Sequence, residues 1–452
     1  MRSLMNNSPL TLASNQRPAP MSMGEGAENR FAWLVMSLLF AAAVMNYMDR
    51  TVLSIIMPQI RRDLSLSNEQ YGFAVNSFLL LYMVTYPLGG YVADRLGCRR
   101  TFVLNVCAWS VASMLQALSK GFLSLCAFRG LLGATEGGFP STAIRGLAEW
   151  FPSANRAKAV GIMLCGISLG SVVAPPLVAG VTLVYGWRAA FLVTGALGFL
   201  LVPPWLILHR RISSVFGSKD PAPARRNESA SFSGSEETTT IWEVLRRRKF
   251  LFILVARSMT DAIWFFYLFW AAGYFQEARG FGLANVGRFL WIPFLSADLG
   301  ALAGSWISSG LIRRGLGVDR SRKSVMVVSA LLGFCGAGVV YVSNHYVALA
   351  LLSVTLLGLL SWAANVQTAI TEISPPQHVA VLYGITGSAG TLLSAISQPL
   401  IGRVVDGTGY VPVFVAAGAG LIVALGIALS AGKIERIGHA NMGFEREALS
   451  QS

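Results

Sequence analysis

The sequence predicts an all-α integral membrane protein of twelve spans arranged as two similar halves. Three observations lead there. Hydrophobic residues make up 54% of the 452 residues and charged ones only 13%, against about a quarter charged in a soluble domain. Apolar stretches of the roughly 20 residues needed to cross a bilayer recur along the chain. A segment rich in Ser, Pro, Thr and charge divides those stretches six and six.

In order, the spans fall near residues 31–58, 70–92, 101–119, 122–147, 157–182 and 189–208, then 250–272, 286–312, 324–343, 346–372, 379–402 and 411–431. The first 29 residues are polar and read as a disordered tail. The apolar run after them is too long for a signal-peptide core, so the first helix is retained. Residues 30–208 make the first bundle and 250–432 the second. Between them, 209–249 read as a flexible linker ending in an amphipathic stretch, Ile241 to Arg248, and 433–452 form a C-terminal tail. Lys and Arg favour one set of loops, which holds Arg95, Arg99, Arg100, Arg156, Lys158, Arg210, Arg211, Arg246, Arg247, Arg248, Lys249, Arg313, Arg314, Arg320, Arg322 and Lys323. The other holds chiefly Arg61, Arg62, Lys120, Arg188, Arg279 and Arg403. This bias places both tails and the linker in the cytoplasm, the chain sitting in the cytoplasmic (inner) membrane. The net charge of +14 belongs to these loops, so no nucleic-acid partner is expected. The five cysteines form no CxxC pair, and no HExxH occurs. Neither a metal, a cofactor nor an enzymatic role is expected. The lipid bilayer is the expected surrounding and a monomer the expected state.

Within the first span lies Asn46-Tyr47-Met48-Asp49-Arg50. A charge at bilayer depth costs on the order of 3 kcal/mol on insertion scales, so it is rarely left facing lipid. Asp49 and Arg50 read as facing an aqueous cavity; the alternative is a helix end among headgroups. In the fourth span, Arg129 and Glu136 are seven apart and share one helix face, with Gly130 and Gly133 between them permitting close helix approach. A carboxyl in such an interior takes up or releases a proton according to whether a cation is near; a purely structural ion pair is the competing reading. The stretch Gly90-x-x-x-Asp94-Arg95-x-Gly97-x-Arg99-Arg100 follows the second span and is echoed by Gly304 to Arg314 after the eighth. Asp94 is expected against the positive N-terminal end of the eleventh span near Val379, a contact whose breaking opens the cytoplasmic side. The alternative is a topology anchor. Two like halves of six spans match the plan of a secondary transporter with a midplane site.

These motifs, with Gly186-Trp187-Arg188-x-x-Phe191, resemble the major facilitator superfamily and, within it, the anion:cation symporter family. The likeness spans most of residues 31–431. Ala256-Arg257-Ser-Met-Thr-Asp261-Ala-Ile-Trp264 and Trp291-Ile-Pro-Phe-Leu-Ser-Ala-Asp298 are similar to its hexuronate (glucuronate and galacturonate) transporters. The resemblance implies a major facilitator fold and proton-coupled import of a small organic anion, a sugar acid, by alternating access. It assigns Arg50 to the substrate carboxylate, Tyr47 and Tyr82 to hydroxyls, Asp49 and Glu136 to protons, and Arg129 to tuning Glu136. Gly90, Asp94, Arg95 and Gly97 become gating residues. The proton is the coupling ion. Arginine suits a planar carboxylate, and tyrosine offers an apolar face with a hydroxyl.

Other candidates rest on residue type alone. Trp264, Tyr267 and Trp362 are aromatic candidates for the substrate site, and Asn365 a hydroxyl-bonding one; each equally suits helix packing. Arg257 and Asp261, four apart, can pair, and structural and functional readings stay level. Asp298 receives no role. Import of an aldonate, aldarate or aromatic acid, efflux of an amphiphile, and a transporter-like sensor remain alternative functions.

Overall fold

Helices form wherever the sequence runs apolar, and glycine or proline sets most of their limits. The computed structural model describes residues 25–151, 153–216, 240–375 and 378–435. The first half holds α1 (Glu25–Ile55), α2 (Met57–Asp63), α3 (Asn68–Leu115), α4 (Phe122–Glu136), α5 (Phe139–Trp150), α6 (Ser153–Tyr185), α7 (Trp187–Phe199) and α8 (Val202–Phe216). The second holds α9 (Ile241–Arg246), α10 (Arg248–Glu277), α11 (Leu283–Phe289), α12 (Trp291–Arg313), α13 (Val318–Phe334), α14 (His345–Ile373), α15 (Val379–Thr408) and α16 (Val411–Ser430). Among the described residues, nine helical stretches are long and apolar enough to cross a membrane. One of them covers both limbs of α3, which bends at Gly97 (φ 77°). That bend, the α4–α5 pair and α15 complete the twelve spans of the sequence reading. Leu88, Leu123, Leu183, Leu302 and Trp306 are exposed, as lipid-facing residues must be and as residues facing water in such numbers rarely are.

Two helix ends differ from the sequence expectation. The first helix begins at Glu25, inside the segment expected to be disordered; residues 1–24 lie outside the described residues. Helix α8 runs to Phe216, eight residues into the expected linker, because Leu208, His209 and Ile212 still bury a face. Of that linker, 217–239 lie outside the described residues, and the amphipathic stretch is the short helix α9, capped by the Thr240 side chain. Of the C-terminal tail only 433–435 are described; the Ile434 amide donates to Asp319 at 2.9 Å.

Glycines let the spans of each half touch backbone to backbone. A Cβ on Gly133 of α4 would lie 2.2 Å from the Phe78 carbonyl oxygen of α3. In the second half a Cβ on Gly300 of α12 would lie 2.0 Å from the Leu357 carbonyl of α14. The halves are tied together at the end remote from the linker. There the Asp406 carboxylate accepts from the Asn68 side chain (2.8 Å) and from the amides of Asn68 (3.0 Å) and Glu69 (2.9 Å), at the positive end of α3. Arg61 pairs with Glu277 (2.8 Å), Gln59 donates to Gln276 (2.9 Å), and Arg403 pairs with Glu69 (2.7 Å).

Gly133→Val should lower thermal stability by about 1–3 kcal/mol or abolish folding, since α4 cannot retreat from α3 without moving Glu136. Melting of the detergent-solubilised variant measures it.

Candidate functional site

Helix α1 carries Asp49 and Arg50 side by side, and one residue turns a helix by about 100°, so the two face different neighbours. Arg50 turns toward α4: its Nε and Nη2 both donate to Glu136 Oε2, at 3.2 and 3.0 Å. Arg50 is 4% exposed and Glu136 fully buried. The guanidinium also lies over the rings of Tyr82 (4.6 Å), Tyr47 (4.8 Å) and Phe78 (5.1 Å), contacts that suit a desolvated cation. Asp49 turns toward the second limb of α3, where Ser113 donates to it at 2.9 Å, and it is fully buried inside the first half.

A cavity of about 240 Å³ lies between the halves on the linker side of the tied end. Tyr47, Arg50 and Tyr82 line its first-half wall. Arg257, Asp261 and Trp264 line the opposite wall; their i, i+4, i+7 spacing puts them on one stripe of α10. Tyr383, Ser388 and Thr391 of α15 complete that wall. At the depth of the cavity, Trp264 Nε1 donates to Tyr47 Oη across the halves at 3.3 Å. Behind these two residues lies a second hollow of about 120 Å³, lined also by Asp298, Ser168 and Ser171.

Several expectations are corrected by this geometry. Glu136 is paired with Arg50 rather than Arg129. Arg129 donates to the Arg50 backbone carbonyl at 3.4 Å, and its guanidinium sits over Phe78 at 4.8 Å. Asp49 does not line the cavity. Trp362 donates to Thr260 at 2.7 Å, and Asn365 donates to the Ser361 carbonyl at 2.9 Å and accepts from Arg322 at 3.4 Å, both inside the second half. Tyr267 packs on Phe414 and lies turned off the α10 stripe, also away from the cavity. Asp94 is exposed and pairs with Arg145 of α5 in its own half, not with the start of α15. Of the other gating candidates, Gly97 makes the bend, Arg95 lies over the Tyr91 ring at 4.5 Å, and Gly90 faces Ser141 of α5. Gly166-Ile167-Ser168-Leu169-Gly170 matches a nucleophile-elbow spacing, but it runs through the middle of α6 rather than over the strand-to-helix turn that chemistry needs. Tyr383, Ser388 and Thr391 of α15 were not among the expected site residues; Tyr383 and Ser388 stand about 140° apart on the helix, so no narrow stripe marks them.

The Major Facilitator Superfamily profile matches residues 39–396. The chain belongs to that superfamily. It is 29% identical over 388 residues to the hexuronate transporter of Escherichia coli (strain K12), covering 84% of this chain and 89% of that one. The hexuronate transporter of Bacillus subtilis (strain 168) is 31% identical over 391 residues, 83% of this chain and 88% of the relative. Among solved structures, a bacterial homolog to the human lysosomal transporter Spinster, in an inward-facing and occupied conformation, superposes with a TM-score of 0.70 at 16% identity. It covers 88% of this chain and 96% of that chain and shares the fold. This member of the Major Facilitator Superfamily is a multi-pass membrane transporter and not an enzyme.

Removing one partner of a buried ion pair leaves the other charge uncompensated, a loss of about 3–5 kcal/mol. Arg50→Leu should therefore be strongly destabilised, and the Arg50→Leu, Glu136→Leu double variant should recover most of that loss. Additive losses in a thermal-melting double-mutant cycle would mean the two side chains do not act as a pair.

Proposed function

We propose that the protein imports a sugar acid, a hexuronate, together with protons across the cytoplasmic membrane, with both termini cytoplasmic. The observation that carries this reading is the Arg50–Glu136 pair, whose arginine lines the cavity while the acid is buried behind it. One guanidinium face serves either the Glu136 carboxylate or a substrate carboxylate. A proton on Glu136 releases Arg50 for the substrate; loss of that proton returns Arg50 to Glu136 and ejects the anion. Binding of anion and proton is thereby linked, and linkage is reciprocal. Asp49, enclosed beside Ser113, is the second proposed proton site. The likeness to two hexuronate transporters supports the substrate class. The Lys and Arg bias supports the orientation, in which the cavity opens inward.

Uptake of galacturonate into energised vesicles should collapse when a protonophore is added; uptake indifferent to it refutes coupling. Glu136→Gln, which keeps Arg50 permanently available, should retain binding and exchange while losing accumulation. Gradient-driven accumulation by that variant at wild-type level would remove Glu136 from the coupling role.

Gating belongs to the same proposal. In the inward-open form Asp94 meets Arg145, and in the form closed to the cytoplasm it meets the start of α15. The exposed Asp94–Arg145 contact is worth little, so Asp94→Asn chiefly removes the contact between halves and should favour the inward-open form. A cysteine placed at Ser388 should be labelled faster from the cytoplasmic side in Asp94→Asn than in the parent; equal rates would leave Asp94 as a topology anchor.

A further inference from the structure

The two arginines that line the cavity are held differently. Arg50 has Nε and Nη2 both bonded to Glu136. Arg257, 7% exposed, donates from Nη1 to Thr386 at 3.0 Å and lies over the Tyr383 ring at 4.4 Å. Its Nε approaches Asp261 Oδ2 only to 3.6 Å, an ion-pair contact too long for a hydrogen bond, and that buried N–H has no acceptor. Asp261 is fixed in place because Gly390 of α15 packs on it; a Cβ there would lie 2.1 Å from Oδ2. Arg257 and Asp261 both line the cavity, and the arginine keeps one buried N–H unmet beside the acid.

Because Arg257 and Asp261 are not tightly hydrogen-bonded to each other, both keep capacity for a ligand in the cavity, and bonds to charged groups are the stronger ones. A carboxylate suits Arg257 but meets the like charge of Asp261. A pair of neighbouring hydroxyls suits both residues, since a hydroxyl accepts from an N–H and donates to a carboxylate. Ser388 and Thr391 add hydroxyls on the same wall, and the rings of Tyr383 and Trp264 offer apolar faces to the C–H side of a polyol.

We propose that Arg257 and Asp261 form a subsite for the hydroxyl-bearing end of the substrate, opposite Arg50. The inference rests on the sugar-acid reading above and deepens it. A ligand held by Arg50 on α1 and by Arg257 on α10 touches both halves. Only such a ligand makes contacts that change when the halves move, which is what shifts a conformational equilibrium.

The test compares galacturonate with its monodeoxy analogues by calorimetric titration of purified protein, for the wild type, Asp261→Asn and Arg257→Gln. The wild type should bind galacturonate about ten-fold or more tighter than at least one deoxy form, as expected where a site hydrogen-bonds a substrate hydroxyl. In either variant that ratio should fall to near one, with the deoxy affinity little changed. A merely structural role would weaken both ligands alike and keep the ratio, which overturns the subsite. Asp261→Asn preserves shape and decides the matter alone if Arg257→Gln does not fold. Wild-type preference for galactarate over galacturonate by ten-fold would also overturn it, because a second carboxylate would then sit where Asp261 should repel it. Failure of every one of these acids to bind the wild type overturns the sugar-acid reading and this subsite with it. Binding with an unaltered ratio overturns the subsite alone.

Discussion

A guanidinium and a carboxylate enclosed together within the first half constrain everything around them. Leaving either Arg50 or Glu136 as an unmatched ion at that depth costs several kcal/mol of solvation. Each is tolerable with the other 3.0 Å away. That distance depends on α4 lying directly on α3, which depends in turn on the bare backbone at Gly133. Phe78 fills the space between the two buried guanidiniums of Arg50 and Arg129, a ring facing each cation. The charges of the first half are thus built into its packing, and the cavity receives only the outer side of one of them.

The two walls of the cavity differ in how their charges are met. On the first-half wall the Arg50 cation is matched by an acid. On the second-half wall, Arg257 and Asp261 leave donor capacity unmet. The ties at the remote end, centred on Asp406 and the start of α3, hold the halves together there, with the cavity on their linker side. The Tyr47–Trp264 bond separates the cavity from the smaller hollow at Asp298.

Much of the site was legible as a face and little of it as a partner. Periodicity put Arg129 and Glu136 on one side of a helix, which they are, but it says nothing about which third helix arrives there. The arrival of α1 gave Glu136 to Arg50. Trp362, Asn365 and Tyr267 are residue types that serve equally in a helix interface and in a binding site, and packing decided for the interface. For Tyr267 a signal existed, since it stands off the stripe of Arg257, Asp261 and Trp264. Asp94 was expected across the seam and pairs with Arg145 within its own half, a contact 51 residues away that no local pattern marks.

Composition and spacing alone determined that this chain is a bundle of membrane spans in two halves and that a charged pair of residues stands within the first apolar run. These follow from local properties: the apolar length a bilayer demands and the expense of a charge in lipid. The tertiary structure alone decided which acid meets which arginine, which aromatic rings reach the cavity, and at which end the halves touch. Those are relations between helices far apart in sequence, set by how closely backbones pack, and no single stretch of residues encodes them.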